Sequence, residues 1–209
     1  MTAATAADRL DTGYGEYPVQ VSFDPEQRIN RLWGIPFLGM AARWLALIPH
    51  LFVAWVLSVG LGLSVLVSWI PVLFLGRQPL AGFYVGTYRY LTRVIAWGFF
   101  LAGPYPPFSW NTAYPVNVDA PTDGSINRLW GIPFLGLWLR GLLVIPHAIV
   151  LFALAIVLYF GIFVIWIPIL INGRMPALGY QLYGGYLRLY ARVYLWVFLT
   201  PVPYPPLLP

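Results

Sequence analysis

Cysteine is absent from this chain of 209 residues, and charged side chains are scarce. The absence of cysteine excludes disulfide bonds, thiolate metal sites and cysteine nucleophiles, and it leaves the redox compartment undefined. Only 9% of the residues are charged, whereas an average soluble domain has about 25%. Because so few charges cannot cover a surface that faces water, the composition predicts an integral membrane protein.

Apolar residues make up 60% of the chain and aromatic residues 18%. Tryptophan and tyrosine favour the boundary between water and lipid, where the ring is buried and the polar tip stays wet. The formal net charge is +5. The arginines are spread along apolar segments and form no polar basic patch. We therefore expect membrane lipids, anionic ones in particular, as partners, and no nucleic acid.

One string of eleven residues, INRLWGIPFLG, occurs at positions 29–39 and again at positions 126–136. A string of this complexity does not recur by chance, so the chain is predicted to be a tandem duplication. We expect repeat 1 at residues 17–108, a linker at 109–113 and repeat 2 at 114–209. Residues 1–16 are polar, lack the pattern of a signal peptide and are predicted to be a mobile tail.

Each repeat is predicted to be a helical hairpin preceded by a short interfacial helix. Pro49 and Pro146 are expected to begin new helices, because proline suits a first turn and disrupts a helix interior. Glycine and proline mark tight turns at 76–79 and 173–176. These signals give interfacial helices over 37–47 and 134–144, and transmembrane helices over 49–74, 80–102, 146–171 and 178–200. The predicted fold class is therefore all-α, with about four transmembrane and two interfacial helices.

The relation between the repeats follows from counting membrane crossings. A hairpin crosses twice, so both repeats are predicted to insert in the same sense and to be related by a pseudo-twofold axis along the membrane normal. The alternating residues 17–21 and 114–118 predict short strands on the side of the termini, with an extended loop as the alternative. Arginines near the helix ends place the termini in the cytoplasm by the positive-inside rule.

The return helices carry pairs of arginines four residues apart, which share one helix face: Arg89 with Arg93, and Arg188 with Arg192. The predicted spanning segments contain no Asp or Glu to neutralise them. An arginine at the bilayer centre costs about 2.5–3.5 kcal/mol on insertion scales. Three explanations are open: shallow helices with snorkelling side chains, a wet cavity between the helices, or a site for anions such as lipid phosphates.

Cations and tryptophans at the foot of an apolar helix are typical interfacial anchors, with a specific headgroup site as the alternative. The residues predicted as anchors are Arg31, Trp33, Arg43, Arg128, Trp130 and Arg140. His50 and His147 occupy equivalent positions and are possible haem or pigment ligands, although an interfacial histidine that only forms hydrogen bonds is more common. The sequence holds no Ser-His-Asp set, metal cluster or glycine-rich phosphate loop. It therefore predicts neither an enzyme nor a bound cofactor or metal.

Four motifs recur in both repeats: Tyr-Pro-Val at 17–19 and 114–116, Ile-Pro-His at 48–50 and 145–147, Gly-Arg-x-Pro at 76–79 and 173–176, and Tyr-Pro-Pro at 105–107 and 204–206. With these motifs and the arginine of the return helix, the chain resembles a bacterial integral membrane family, common in actinobacteria, that is catalogued as a domain of unknown function. The resemblance covers nearly the whole chain. It implies a membrane location and no known activity.

The leading functional expectation is a multi-pass protein of the bacterial inner membrane without enzymatic activity. It would serve as a scaffold or accessory subunit and pack against another membrane protein or a second copy of itself. One alternative is a component that binds or transports anionic lipids or other anions through the return-helix arginines. A second alternative is a haem- or pigment-binding subunit.

Overall fold

The computed structural model describes residues 17–207. The predicted mobile tail, residues 1–16, lies outside the described residues. The described part forms strands β1 (Gln20–Phe23) and β2 (Val116–Asp119) and helices α1 (Leu38–Ala46), α2 (Ile48–Leu75), α3 (Ala81–Gly98), α4 (Leu135–Asn172) and α5 (Ala177–Val197). Short 3-10 helices at Arg31–Gly34 and Arg128–Gly131 precede α1 and α4. The chain is mainly helical. The two halves contain corresponding elements in the same order, with α1 and α2 of the first half corresponding to the single helix α4 of the second.

Helices α2 and α4 expose most of their apolar surface. Both are strongly apolar, and α4 is more apolar than α2. The buried residues of α2 recur every three or four positions, for example at Leu61, Ser64 and Ser68, so only one narrow stripe meets the protein. Phe52 on α2 and Phe163 on α4 are 66% and 53% exposed. Both helices are long and apolar enough to cross a membrane, and their exposure distinguishes them from the core helices of a soluble protein.

Helices α3 and α5 form the interior of the protein and are less apolar. Most of their residues are buried, including several tyrosines and one arginine in each helix. Within residues 17–207, α2 and α4 alone meet the length and hydropathy criteria for spanning a membrane. Neither α3 nor α5, which were predicted as spanning helices over 80–102 and 178–200, meets them. Both also end earlier than predicted, because Phe100 and Leu199 adopt the left-handed conformation that terminates a helix.

The predicted break at Pro146 is wrong. Helix α4 runs from Leu135 to Asn172 without interruption, so the interfacial helix at 134–144 and the spanning helix at 146–171 are one element. In repeat 1 only Leu47 separates α1 from α2, and its φ and ψ of −81° and −8° are nearly helical. A proline removes one backbone donor, and the hydrogen bonds of the neighbouring turns keep the helix continuous here.

The prediction of parallel repeats is also wrong. Ring centroids lie 5.1 Å apart for Tyr84 and Phe198, and 4.9 Å apart for Tyr88 and Tyr194. Phe99, just after α3, lies 5.3 Å from Tyr183. As the residue number increases along α3, the number of the contacting residue in α5 decreases. These two helices are therefore antiparallel. Because each repeat is a hairpin, the two repeats are antiparallel as well, and the pseudo-twofold axis crosses the helices.

The first segment of each repeat packs against the other repeat. We call residues 17–34 arm 1 and residues 114–131 arm 2. The amide of Ile29 in arm 1 donates to the carbonyl oxygen of Gly173 at 2.8 Å, and the amide of Ile126 in arm 2 donates to that of Gly76 at 2.8 Å. A methyl group on Gly34 would lie 2.5 Å from the backbone nitrogen of Leu170. The arms are therefore exchanged between the repeats, and glycine permits the close approach.

The two arms meet in a two-stranded antiparallel ribbon, in which Val21 of β1 is opposite Val118 of β2. The structure thus forms strands and not extended loops, although each strand begins two or three residues later than predicted. The ribbon covers α3 and α5. The predicted parallel arrangement required the linker between the repeats to stay at one end of the molecule. In the structure the chain after α3 runs back beside α3 before it reaches the start of α4.

Candidate functional site

The arginines of α3 bind the backbone of strand β2. Arg89 donates from Nε to the carbonyl oxygen of Val118 at 2.8 Å, and Arg93 donates from Nε to that of Val116 at 3.2 Å. Four helical residues advance about 6 Å, and two residues of an antiparallel strand advance about 6.8 Å. The spacing of the arginine pair therefore matches alternate carbonyl groups along one edge of the ribbon.

The second repeat uses its arginines in a related way on strand β1. Arg188 donates from Nε to the carbonyl oxygen of Val21 at 3.2 Å. The guanidinium of Arg192 lies 5.0 Å from the ring centroid of Tyr17, in cation–π geometry. We call these four arginines the clamp residues. Three of them, Arg89, Arg93 and Arg188, donate to backbone groups at the edges of the ribbon that would otherwise be exposed without a partner.

The return-helix arginines have partners within the protein. Arg93 is 2% exposed and also donates from Nη1 to the carbonyl oxygen of Ser109 at 3.0 Å. Arg89 lies 3.4 Å from the carboxylate of Asp119. This acidic partner was missed from the sequence because it lies in arm 2 and not in a helix. The clamp side chains are engaged by the protein itself, while anion binding at these residues stays a prediction.

Two tyrosines fix the outer ends of the arms. The hydroxyl of Tyr17 donates to the carbonyl oxygen of Pro203 at 2.7 Å, and that of Tyr114 donates to Pro104 at 2.8 Å. Burial raises the pKa of both phenols well above the usual value, although nearby arginines partly offset it. Each hydroxyl therefore keeps its proton and remains a donor. The repeated Tyr-Pro-Val motif was the sequence signal for this role.

The predicted interfacial anchors fall into two groups. Arg31 and Arg128 are exposed, as an anchor should be. Trp33 packs edge-to-face on Trp97 with centroids 5.7 Å apart. The equivalent rings of repeat 2, Trp130 and Trp196, lie 5.6 Å apart.

Arg43 is enclosed by the protein, which contradicts its prediction as an interfacial anchor. The side chain is fully buried. Its guanidinium carbon lies 4.2 Å from the ring centroid of Trp97 and 4.6 Å from that of Phe100, and Nη2 donates to the carbonyl oxygen of Ala102 at 2.9 Å. The chain that follows α3 folds back over α1 and encloses this arginine, a long-range contact that helical periodicity does not reveal.

The equivalent Arg140 is placed differently. Its Nε donates to the carbonyl oxygen of Gly136 at 3.1 Å and its Nη1 to that of Val197. The side chain is 6% exposed and lines a cavity of about 230 Å³. A second cavity, of about 390 Å³, lies beside Arg89 and Arg93.

Both histidines are fully buried. His50 forms a hydrogen bond of 2.7 Å from Nδ1 to the hydroxyl of Tyr90 and stacks on Phe108 with centroids 4.0 Å apart. His147 donates from Nε2 to the carbonyl oxygen of Pro205 at 3.0 Å. Haem or pigment ligation stays a prediction. Ligation through Nε2 of His147 would break the hydrogen bond to Pro205, whereas Nε2 of His50 has no hydrogen-bond partner among residues 17–207. The expected first-turn position holds for His50 only, because His147 lies inside α4.

The fold defines a duplicated helical protein with exchanged arms and two candidate membrane-spanning helices. The family model for a domain of unknown function, DUF4389, matches residues 38–109 and residues 135–207. The chain therefore belongs to this family and contains it in two tandem copies. No curated protein and no solved structure matches the chain. Each matched segment begins at α1 or α4, so both arms lie entirely outside the family match.

Proposed function

We propose that this chain is an integral membrane protein without enzymatic activity that serves as a scaffold or accessory subunit of a membrane complex. The exposed apolar surface of α2 and α4 carries the proposal. Burying a large apolar side chain contributes about 1.5–3 kcal/mol, so leaving this surface in water would be costly. The most exposed large side chains of the two helices include Phe52, Trp55, Leu66, Phe74, Phe152, Phe160 and Ile171.

The proposed placement is multi-pass, in the bacterial inner membrane, with α2 and α4 crossing in opposite senses. The antiparallel repeats support opposite senses. Helix α2 has 28 residues and is about 42 Å long, which exceeds a hydrocarbon core of about 30 Å. The cytoplasmic location of the termini stays a prediction. Arg31 and Arg128 belong to arms that dock at opposite ends of the molecule, so these two charges do not favour either side of the membrane.

The ribbon supports the role as a subunit. A charge in the hydrocarbon core of a membrane is costly. The side chain of Asp119 is nevertheless 67% exposed on the ribbon. In a spanning arrangement, this face would therefore require another membrane protein, a second copy of the chain or a water-filled space beside it.

Photocrosslinking from native membranes tests the proposal. Benzoylphenylalanine is placed at Phe52 and Phe163 on the long helices and, in a separate variant, at Gln20 on the ribbon, which is exposed. We expect lipid adducts from the helices and a protein adduct of defined mass from the ribbon. Lipid adducts alone at all three positions would remove the subunit role, and release of the chain by alkaline carbonate would remove the membrane placement.

The two alternative functions gain less support. Anion transport through the clamp residues would require them to exchange ribbon carbonyl groups for a ligand, and a pigment held by both histidines would have to displace the carbonyl group of Pro205 from His147 and the stacked ring of Phe108 from His50. The scaffold role requires no such rearrangement of the described residues.

A further inference from the structure

The two repeats differ most clearly around their buried arginines. Arg43 and Arg140 occupy equivalent positions, and each has a tryptophan pair beside it. In repeat 1 the arginine is enclosed by aromatic rings. In repeat 2 it lines a cavity of about 230 Å³. Both repeats have the arginine, but only the second has open space beside it among the described residues. This difference suggests that repeat 2 holds a ligand there.

Four differences between the repeats open this space. Each replaces a larger residue of repeat 1 with a smaller one in repeat 2, and two of them introduce a hydroxyl group. The equivalent pairs are Gln27 and Gly124, Arg28 and Ser125, Phe100 and Leu199, and Leu101 and Thr200. The second member of three of these pairs lines the cavity.

The chemistry of the cavity favours an anion. Its lining contains Arg140, Ser125 and Asn127 and no Asp or Glu. Nε and Nη1 of Arg140 are held by backbone carbonyl groups, whereas among residues 17–207 no group accepts a hydrogen bond from Nη2. The guanidinium is thus oriented before a ligand arrives, which reduces the entropy lost on binding. Charge-assisted hydrogen bonds from arginine suit phosphate oxygens especially well.

The position of the cavity suggests how a lipid would reach it. Arg140 lies in the second turn of α4, close to the end of this long apolar helix. Leu137 and Leu143, three residues before and after Arg140 and therefore on the same side of the helix, are 51% and 40% exposed. A phosphate in the cavity would therefore sit next to apolar surface on which an acyl chain can lie.

We propose that this cavity is a phosphate-binding site, filled by the headgroup of an anionic phospholipid or by free phosphate. The larger cavity beside Arg89 and Arg93 is less suitable, because the carboxylate of Asp119 lines it and already pairs with Arg89. The site does not depend on the proposed role as a scaffold, since it requires only Arg140 and the space around it.

Binding to the purified full chain tests the proposal with three probes. Phosphatidylglycerol and phosphatidylcholine are titrated in detergent and counted by native mass spectrometry, and inorganic phosphate is measured by equilibrium dialysis. Retention of one phosphatidylglycerol, with weak binding of the other probes, identifies a lipid headgroup site. Binding of inorganic phosphate with equal affinity identifies a site for the free ion. Failure of all three probes overturns the proposal.

Two double variants locate the site. Leu199→Phe with Thr200→Leu copies repeat 1 and closes the cavity without changing the charge, so we expect affinity to fall about tenfold or more, as for a lost charge-assisted hydrogen bond. Phe100→Leu with Leu101→Thr opens repeat 1 and should add a second, weaker site. Thermal unfolding confirms that both variants fold. Unchanged affinity in the folded closing variant overturns the proposal, whatever the crosslinking at the ribbon shows.

Discussion

At the scale of single residues, this protein has arginines in helices that its sequence predicts to span a membrane, where an unpaired charge is costly. The pairs Arg89 with Arg93 and Arg188 with Arg192 resemble unpaired charges on spanning helices. The structure uses three of these side chains as donors to carbonyl groups of the ribbon. A buried carbonyl group without a donor costs about 1–3 kcal/mol. The clamp therefore stabilises the exchanged arms through neutral carbonyl groups, with the carboxylate of Asp119 beside Arg89 in addition.

Replacing Arg93 with methionine tests the clamp. The change keeps an apolar stem but removes the donors to Val116 and Ser109. We expect a loss of about 2–4 kcal/mol, because both carbonyl groups would be left without this partner. Unfolding in detergent, followed by tryptophan fluorescence, measures it. The matched control is Arg77→Met, at an exposed turn, which should stay within about 0.5 kcal/mol. Equal effects of the two changes would contradict a clamp.

At the scale of elements, the sequence predicted the pieces better than their arrangement. The duplication, the turns at 76–79 and 173–176 and the long helices follow from glycine, proline and hydropathy, which are local signals. The continuity of α4 through Pro146 was not predictable, because it depends on the helical turns on both sides. The enclosure of Arg43 depends on Ala102 and Phe100, which are distant in sequence and carry no periodic signal.

The ribbon between the arms gives an element-scale prediction. Ser22 and Asn117 are opposite each other in the ribbon, and the chain has no natural cysteine. Ser22→Cys with Asn117→Cys should therefore form a disulfide on mild oxidation, since directly opposite residues have Cβ atoms about 4.5–5.5 Å apart. The disulfide-linked product is detected by its altered mobility in a gel run without reductant. Gln20→Cys with Asn117→Cys joins diagonal positions about 7–8 Å apart and should react much less. Equal yields would mean that the register is wrong.

At the scale of the whole molecule, the antiparallel repeats define which ends of the chain lie together. Arm 1 docks at the end of α4 and arm 2 at the end of α2. The turns that contain Arg77 and Arg174 therefore lie at opposite ends of the molecule. The sequence alone predicted that both turns lie at the same end, because each hairpin was counted as two membrane crossings. The path of the linker beside α3 depends on side-chain contacts, which such a count does not include.

Labelling of single cysteines in intact cells decides how this arrangement sits in the membrane. Arg77→Cys and Arg174→Cys each introduce one thiol at an exposed turn of a chain that otherwise has none. A maleimide that cannot cross the membrane should label one variant in intact cells and the other only after lysis, because α2 and α4 cross in opposite senses. Ser109→Cys and Thr200→Cys serve as a partly exposed and a buried control. Labelling of both turns from the same side would show that the long helices lie along one membrane surface, and the multi-pass placement would then be abandoned.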